Sequence, residues 1–391
     1  MVYTMKKILF IAHTFSAGGG AERVLNTLVG ELSKWYEIDI IERWEDNILV
    51  YDLPKNVHKL KSMTYFPHMV DEKGWNKTYW NLHRKLLSVV TILFPGLVYR
   101  HFIKGLYDYE ISFNYLYSAL LIANSPNSLS KKIAWNHGDL YDLDFKRFKG
   151  FNYIINRIKF YIENRALKKV DSVVAISRNT YNSIIQLFPF AEQRLELIPN
   201  GYNFKSMITK SCEIEVDKPS RFRLIYLGRL DRNKNVIIQI KAINKIIKEK
   251  RADVELYIFG QGYEEELLKA EASDNIDRFI FFKGFTTNPY PYLKESKALL
   301  MTSLSEGFPT VLIESICLGT PVIATNVGGV SEIVKNGING LVVKNDIDDI
   351  ADKICYMSRC YQQFTGHIEN TVSQFTAENW GQNVKKFLEN L

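Results

Sequence analysis

A chain of 391 residues, 46% of them apolar, is longer than one hydrophobic core usually grows, so two domains are expected. A formal charge of +7 and a pI near 8.9 suit phosphate-bearing partners, among them nucleotide-type substrates and anionic lipid, but the excess is too mild to call for nucleic acid, and no nucleic-acid partner is expected. Cys212, Cys317, Cys355 and Cys360 show neither Cys-x-x-Cys spacing nor nearby histidines, which speaks against a zinc site or a disulfide framework and suits a reducing cytosol.

Met5-Lys6-Lys7 followed by Ile8 to Ala12 imitates a signal peptide, yet the apolar run is short and leads into His13 and a glycine cluster, so it reads as a first buried strand. Ile38 to Ile41, Glu110 to Phe113, Ile133 to Trp135, Ser172 to Ile176 and Leu195 to Ile198 complete a first strand set. Leu86 to Tyr99 is the longest apolar run, but Pro95 and Gly96 interrupt it and it falls short of the roughly 20 residues of a spanning helix. Tyr202 to Ser220 is polar and charged, with Pro219 before the next strand, which makes it the natural linker. Arg223 to Leu227, Glu255 to Phe259, Ile280 to Phe282, Ala298 to Thr302, Pro321 to Ala324 and Gly340 to Val343 form a second set of near-continuous apolar runs, as strands covered on both faces require. Strands alternating with helix-length stretches predict parallel α/β construction. The expected division is a domain over 1–205, a linker over 206–220 and a domain over 221–374. The tail, 375–391, reads as an amphipathic helix with Trp380, Val384, Phe387 and Leu388 on one side, able to close either domain.

The sharpest motif follows the strand Ala298 to Thr302: Ser305-Glu306-Gly307-Phe308-Pro309-Thr310-Val311-Leu312-Ile313-Glu314. Pro309 suits the first turn of a helix, where its missing N–H costs nothing. Glu306 then lies in the loop at a strand's carboxyl end and Glu314 about a turn and a half into the helix, in the crevice where open α/β sheets bind ligands. The N–H groups of Thr310 and Val311, with the helix dipole, would face an anion such as a diphosphate. A second motif, Gly228-Arg229-Leu230-Asp231-Arg232-Asn233-Lys234-Asn235, again follows a strand, and its two cations, Arg229 and Lys234, suit the charge that develops on a departing diphosphate.

These residues carry a resemblance. Leu224 to Val343 resembles the donor domain of the fourth family of retaining glycosyltransferases, of GT-B fold: Gly228-Arg229-Leu230 with Lys234, Phe259-Gly260-Gln261-Gly262, Gly284-Phe285, the two glutamates with seven residues between them, Gly319-Thr320-Pro321-Val322-Ile323-Ala324, and Gly328-Gly329 with Glu332 fall in the family's order and spacing. The first half resembles it more loosely through Gly18-Gly19-Gly20-Ala21-Glu22-Arg23-Val24, His137, Ser177 and Ile198-Pro199-Asn200-Gly201, while residues 50 to 110 match poorly. The resemblance implies two Rossmann-like domains facing each other across a cleft, with the C-terminal helix crossing back to the first. It implies that Glu306 contacts hydroxyls of the transferred sugar, that Arg229 and Lys234 hold the diphosphate, and that Glu314 accepts from the nucleoside ribose. Gly307, Phe308, Thr310 and Val311 would line the donor, and the backbone around Lys283, Gly284 and Phe285 would meet the base. His137 would reach the sugar or the incoming hydroxyl, and Gly19 and Gly20 would let backbone approach the diphosphate or the acceptor. Family members retain anomeric configuration, commonly explained by front-face attack in which the leaving phosphate takes the acceptor's proton, so no protein nucleophile is assigned. No cofactor or metal is expected; the nucleotide diphosphate sugar is a co-substrate.

Competing readings bear on several of these residues. Arg23 occupies the place of the third glycine of a dinucleotide fingerprint, which argues against hydride chemistry. Asp142-Leu143-Asp144 has a cation-binding form but lies away from the donor motifs and reads as a solvated loop. Ser177 lacks a Gly-x-Ser-x-Gly elbow and reads as a helix cap. Residues 75–106 mix Trp75, Tyr79, Trp80, Phe94, Tyr99 and Phe102 with Lys77, Arg84, Lys85, Arg100 and Lys104, and stand equally between an interfacial helix facing anionic lipid and a core helix with a solvated basic face. Lys146 to Lys169 is similar in composition and reads as an ordinary packed helix.

The expected activity is transfer of a hexose or N-acetylhexosamine, from a UDP-sugar first and GDP-mannose second, to a glycan acceptor carried on a polyprenyl diphosphate. The setting is bacterial surface polysaccharide assembly, in the cytoplasm or peripherally on the inner face of its membrane. A sugar phosphorylase or nucleotide-sugar hydrolase would share the fold; a non-catalytic sugar-binding protein would require loss of donor residues that are all present.

Overall fold

Runs of apolar residues with both faces buried form the central strands of both sheets. The computed structural model describes residues 5–16, 20–46, 51–65, 75–137, 140 and 143–391, with 75–77 described by backbone alone. The chain divides into two compact units, Met1–Tyr202 with Ala377–Leu391, and Asn203–Thr376.

In the first unit the strands are β1 (Lys7–Ala12), β2 (Glu37–Glu42), β3 (Trp44–Glu45), β4 (Val57–Lys59), β5 (Thr64–Tyr65), β6 (Tyr109–Ser112), β7 (Lys131–Asn136), β8 (Ser172–Ala175) and β9 (Leu195–Leu197). Helices α1 (Gly20–Leu32), α2 (Trp75–Leu93), α3 (Pro95–Phe102), α4 (Tyr117–Ile122), α5 (Gly150–Leu167) and α6 (Arg178–Leu187) intervene. Seven strands form one sheet in the order β4-β2-β1-β6-β7-β8-β9, and β3 pairs with β5 beside it. Every pairing is parallel. The second unit holds α7 (Phe204–Lys210), β10 (Phe222–Leu227), α8 (Val236–Lys248), β11 (Val254–Phe259), α9 (Glu265–Ala272), β12 (Ile280–Gly284), α10 (Tyr290–Glu295), β13 (Ala298–Met301), α11 (Thr310–Cys317), β14 (Val322–Thr325), α12 (Val330–Ile333), β15 (Gly340–Val343) and α13 (Ile347–Arg359). Its sheet runs β12-β11-β10-β13-β14-β15, again all parallel. The strand order therefore reverses between β10 and β13, and their carboxyl ends frame the site described below.

The chain returns to the first unit through α14 (Ala377–Glu389), whose Trp380, Val384 and Leu388 are buried. Trp380 meets Trp135 edge to face with centroids 6.3 Å apart. A Cβ on Gly381 would sit 2.7 Å from Cβ of Glu31 on α1, so only glycine lets the two helices approach this closely.

Three features differ from the sequence reading. Phe204–Lys210 within the expected linker is helical, capped by Asn203, whose side-chain oxygen accepts from the Ser206 N–H at 2.9 Å; it buries only Met207, too little to leave a periodic signal. The edge strand Val57–Lys59 buries only Val57 and so lacks an apolar run. Lys146 to Lys169 holds a packed helix that carries more than a packed face: α5 buries Ile162, Ala166 and Leu167 in its second half, while Phe151, Ile154, Ile158 and Tyr161 stand at least half exposed.

Candidate active site

Because β10 and β13 are neighbours, the loops that follow them emerge side by side. They are tied together: Leu304 N–H donates to the Asn233 carbonyl at 2.7 Å, Asn233 Nδ2 to the Ser305 carbonyl at 2.9 Å, and the Thr302 hydroxyl to the Asn235 carbonyl at 3.0 Å. Glycines let a third and a fourth loop press in. A Cβ on Gly260 would lie 1.8 Å from the Gly228 carbonyl oxygen, and one on Gly328, where φ is +55°, 1.8 Å from the Glu306 carbonyl oxygen.

This packing sets the charged groups. Lys234 Nζ lies 2.6 Å from Glu306 Oε1, with side chains only 22% and 13% exposed. Asp231 organises the turn: Oδ1 accepts from the Lys234 N–H at 3.1 Å, and Oδ2 pairs with Arg229 Nη2 at 3.0 Å. Tyr226 donates its hydroxyl to the Arg229 carbonyl at 2.6 Å. Burial first, and then the negative charges of Asp231 and Glu306, hold that phenol protonated well above the ordinary tyrosine range. Arg229 extends outward with its side chain 77% exposed.

Helix α11 begins at Thr310 with Pro309 as its N-cap, one position earlier than the first-turn place expected, and no side chain caps it. The first amide groups of a helix have no intrahelical acceptor, so those of Thr310 and Val311 remain available to an anion. Gly307 uses its carbonyl to accept from the Gly329 N–H at 2.8 Å. Phe308 turns its ring into the core, 6% exposed and 5.4 Å from the ring of Phe375, which leaves its backbone facing the loop. Glu314 receives the Tyr290 hydroxyl at 3.4 Å, and Gly284, at φ +68°, ends β12 ahead of Phe285, which is 63% exposed. The second unit thus gathers Arg229, Lys234 and Glu306 around Asp231 and Tyr226, while Glu314, Gly284 and Phe285 lie on the adjoining elements. Two cations and a helix start suit a diphosphate, and a carboxylate beside them suits hydroxyl groups.

In the first unit, the Phe15 and Ser16 N–H groups donate to Glu42 Oε2 at 2.6 and 3.0 Å, and Lys59 Nζ meets the other oxygen of this buried carboxylate at 2.6 Å. The turn that follows β1 is thereby anchored. Gly19 lies outside the described residues; Gly20 opens α1 and is exposed. The Thr14 hydroxyl donates to Glu22. His137 follows β7 with its ring 4.1 Å from that of Phe113 and its Nε2 buried without a hydrogen-bond partner among the described residues. Burial pushes both His137 and His13 down to about 3, so each imidazole is neutral near pH 7 and offers one donor and one acceptor.

The sequence reading did not single out His13 or Asn136, and it named Asn200 only as part of the Ile198-Pro199-Asn200-Gly201 landmark. His13 Nε2, both amide atoms of Asn136 and Asn200 Oδ1 are buried without partners among the described residues. The available signal was positional, since His13 and Asn136 stand at the carboxyl ends of strands as His137 does. Ser177 caps α6, its hydroxyl accepting from the Thr180 N–H at 3.1 Å, as expected. Asp142 lies outside the described residues, and Asp144 pairs with Arg147 at 2.6 Å.

Comparison with known proteins identifies the family and the fold. The model of the group 1 glycosyl transferases matches residues 221–359, and that of Glycosyltransferase Family 4 matches residues 18–205. The N-acetylgalactosamine-N,N'-diacetylbacillosaminyl-diphospho-undecaprenol 4-alpha-N-acetylgalactosaminyltransferase of Campylobacter jejuni is 24% identical over 346 residues, 88% of this chain and 87% of that protein. The poly(ribitol-phosphate) alpha-N-acetylglucosaminyltransferase of Staphylococcus aureus is 26% identical over 245 residues, 60% of this chain but only 47% of its own length. The crystal structure of Anabaena HepE in complex with UDP aligns with a TM-score of 0.72 at 17% identity, over 98% of this chain and 100% of that one. The chain belongs to glycosyltransferase family four, the group 1 glycosyl transferases, and is a retaining hexosyltransferase built on the two Rossmann-like sheets of the GT-B fold.

Proposed function

We propose that this glycosyltransferase moves a hexose or N-acetylhexosamine from a UDP-sugar onto a glycan carried by a polyprenyl diphosphate, in bacterial surface polysaccharide assembly. The observation that carries the donor half is the Lys234–Glu306 pair at 2.6 Å, set between two strand ends and beside the uncapped start of α11. In this reading Arg229 and Lys234 neutralise the diphosphate, and the Thr310 and Val311 amides complete its cradle. Glu306 orients the transferred sugar, Glu314 accepts from the ribose, and the Gly284–Phe285 backbone meets the base. His137, kept neutral, reaches the sugar or the attacking hydroxyl, and Gly19 and Gly20 give the backbone access to phosphate. The attacking hydroxyl forms the new glycosidic bond as the bond to the diphosphate breaks, and its proton passes to the departing phosphate oxygen. No protein group has to supply a base or a nucleophile.

UDP is preferred because the Anabaena HepE structure holds it, and a lipid-linked acceptor because the Campylobacter jejuni relative is named for a diphospho-undecaprenol substrate. Residues 75–106 would then rest peripherally on the inner face of the cytoplasmic membrane; among the described residues no single helix is long and apolar enough to cross one. The test is a panel of UDP-, GDP- and dTDP-sugars screened for thermal stabilisation, followed by transfer assays with a diphosphate-linked glycan. Stabilisation by a GDP-sugar alone would replace the donor assignment. Donor consumption that needs phosphate or water but no glycan would replace transfer by phosphorolysis or hydrolysis.

A further inference from the structure

Helices α2, α3 and α5 all pack on α4, and Arg165 of α5 donates to the Ile92 carbonyl of α2 at 3.4 Å, so the three share one flank of the first unit. A helix on the flank of a sheet normally turns its apolar stripe inward. Here apolar residues also line the outside. On α2, Tyr79, Leu82, Leu86, Val89 and Leu93 are each more than half exposed, at spacings of three and four residues that put them along one side, and Leu97 is exposed on α3 beyond the bend. On α5, Phe151, Ile154, Ile155, Ile158 and Tyr161 repeat the pattern, with Phe151 at 75% exposure. Two outward apolar stripes on helices that both pack on α4 are surface of the kind that calls for a partner.

Charge says which partner. From residue 78 to 106 the sequence holds no aspartate or glutamate, and Lys85, Arg100 and Lys104 are exposed there. From 146 to 169 the sole acid is Glu163, buried in the core where it accepts from the Leu116 N–H, and Lys146, Lys149 and Arg157 are exposed. A second copy of the chain would bring the same cations to the same patch and be repelled, whereas an anionic bilayer offers acyl chains to the stripes and headgroups to the cations. Helices α2 and α3 reach the length and apolar content of a span only when taken together, and they bend by 116° between them, a shape suited to lying along a surface. We propose that α5 is a second membrane-contacting element, joining α2 and α3 in one two-sided docking face for an anionic bilayer, with Ile154 and Ile158 entering the acyl boundary. This deepens the lipid-linked acceptor reading and rests on it.

The test uses the whole chain and vesicles of phosphatidylcholine with or without phosphatidylglycerol, in the absence of sugar donor or glycan. A failure of the acceptor assignment, read with donor and glycan, is thereby separable from a failure of docking. Wild type is expected to sediment with the phosphatidylglycerol vesicles and to release as salt rises. Ile154→Asp with Ile158→Asp, and separately Leu82→Asp with Leu86→Asp, should each weaken partitioning by about tenfold or more, and Lys149→Gln with Arg157→Gln by a smaller factor that salt erases. All are surface positions, and far-ultraviolet circular dichroism with the thermal midpoint of each variant reports that it is folded. Wild-type partitioning by the Ile154/Ile158 variant overturns the role of α5. Absence of vesicle binding by wild type, or a dimer in solution that these substitutions dissolve, overturns the membrane as the occupant.

Discussion

Lys234 has two jobs in the proposed mechanism, and a double-variant cycle separates them. In the free site its ammonium sits 2.6 Å from Glu306 Oε1, with both side chains less than a quarter exposed. Exposed ion pairs contribute about 0–1 kcal/mol and breaking fully buried ones costs about 3–5 kcal/mol, so this intermediate pair should couple the two residues by about 1–2 kcal/mol of folding stability. The transition state asks for more. An electrostatic contact to a departing diphosphate supplies roughly 3 kcal/mol, about a hundredfold in rate. Lys234→Met should therefore lower kcat about a hundredfold while shifting stability by less than the rate loss implies. The discriminating variant is Lys234→Met with Glu306→Gln. If Lys234 acted only by holding Glu306 in place, its removal would cost nothing once Glu306 is neutral, and the double variant would match Glu306→Gln. If it neutralises the diphosphate directly, the double variant should fall about a further hundredfold below Glu306→Gln. Steady-state kcat with saturating UDP-sugar and urea midpoints for all four proteins decide it, and a double variant no slower than Glu306→Gln refutes the diphosphate contact.

Three further outcomes follow from the geometry. Gly328→Ala places a methyl 1.8 Å from the Glu306 carbonyl at φ +55°, so it should displace the Glu306 loop and lower kcat at least about tenfold, whereas Gly337→Ala, at φ +82° with nothing within 4 Å, should cost only about 1 kcal/mol of stability and leave kcat intact; equal kcat in the two variants would contradict this. Glu314→Gln should weaken UDP binding, read by calorimetry, about tenfold while leaving the Tyr290 contact able to form; unchanged affinity counts against a ribose contact. Stability should fall on acidification. His13 and His137 gain protons below about pH 6.5 only when unfolded, since folded they hold out to about 3, and this loss outweighs the opposite gain from Glu163, whose folded carboxyl, raised to about 7 by burial, stays protonated where the unfolded one is ionised. Glu110, whose carboxyl burial also raises, opposes the two histidines as Glu163 does, so the net slope between about pH 6 and 5 stays below about 1 kcal/mol per pH unit; a urea midpoint that rises from pH 7 to pH 5 would refute it.

What the sequence made legible and what it hid follow from how each feature is encoded. Strands β10 to β15 are mostly apolar runs, which mark them directly, and the groups that follow β10 and β13 need only those strands to be neighbours for Lys234 to meet Glu306. The glutamate loop is further constrained by Gly328, which no other residue can replace without moving the Glu306 peptide, and that is why the motif reads so strongly in a single chain. The first unit gives weaker signals because its buried polar atoms without partners among the described residues, such as those of His13 and Asn136, follow no local pattern that distinguishes them from capping or structural residues. The outward stripe of α5 was hidden for a related reason. Phe151, Ile154, Ile155 and Ile158 keep the spacing of a core-facing helix, and periodicity reports that a helix has an apolar side without reporting which way it faces. Direction is decided by what competes for the core: Ile162, Ala166 and Leu167 fill it from the second half of the helix, and the buried Glu163 carboxylate fixes that half against Leu116. The first half is left with its stripe turned to the outside and its cations beside it. Such an arrangement disfavours a free monomer in water, which is the physical reason to look for its function at a bilayer surface.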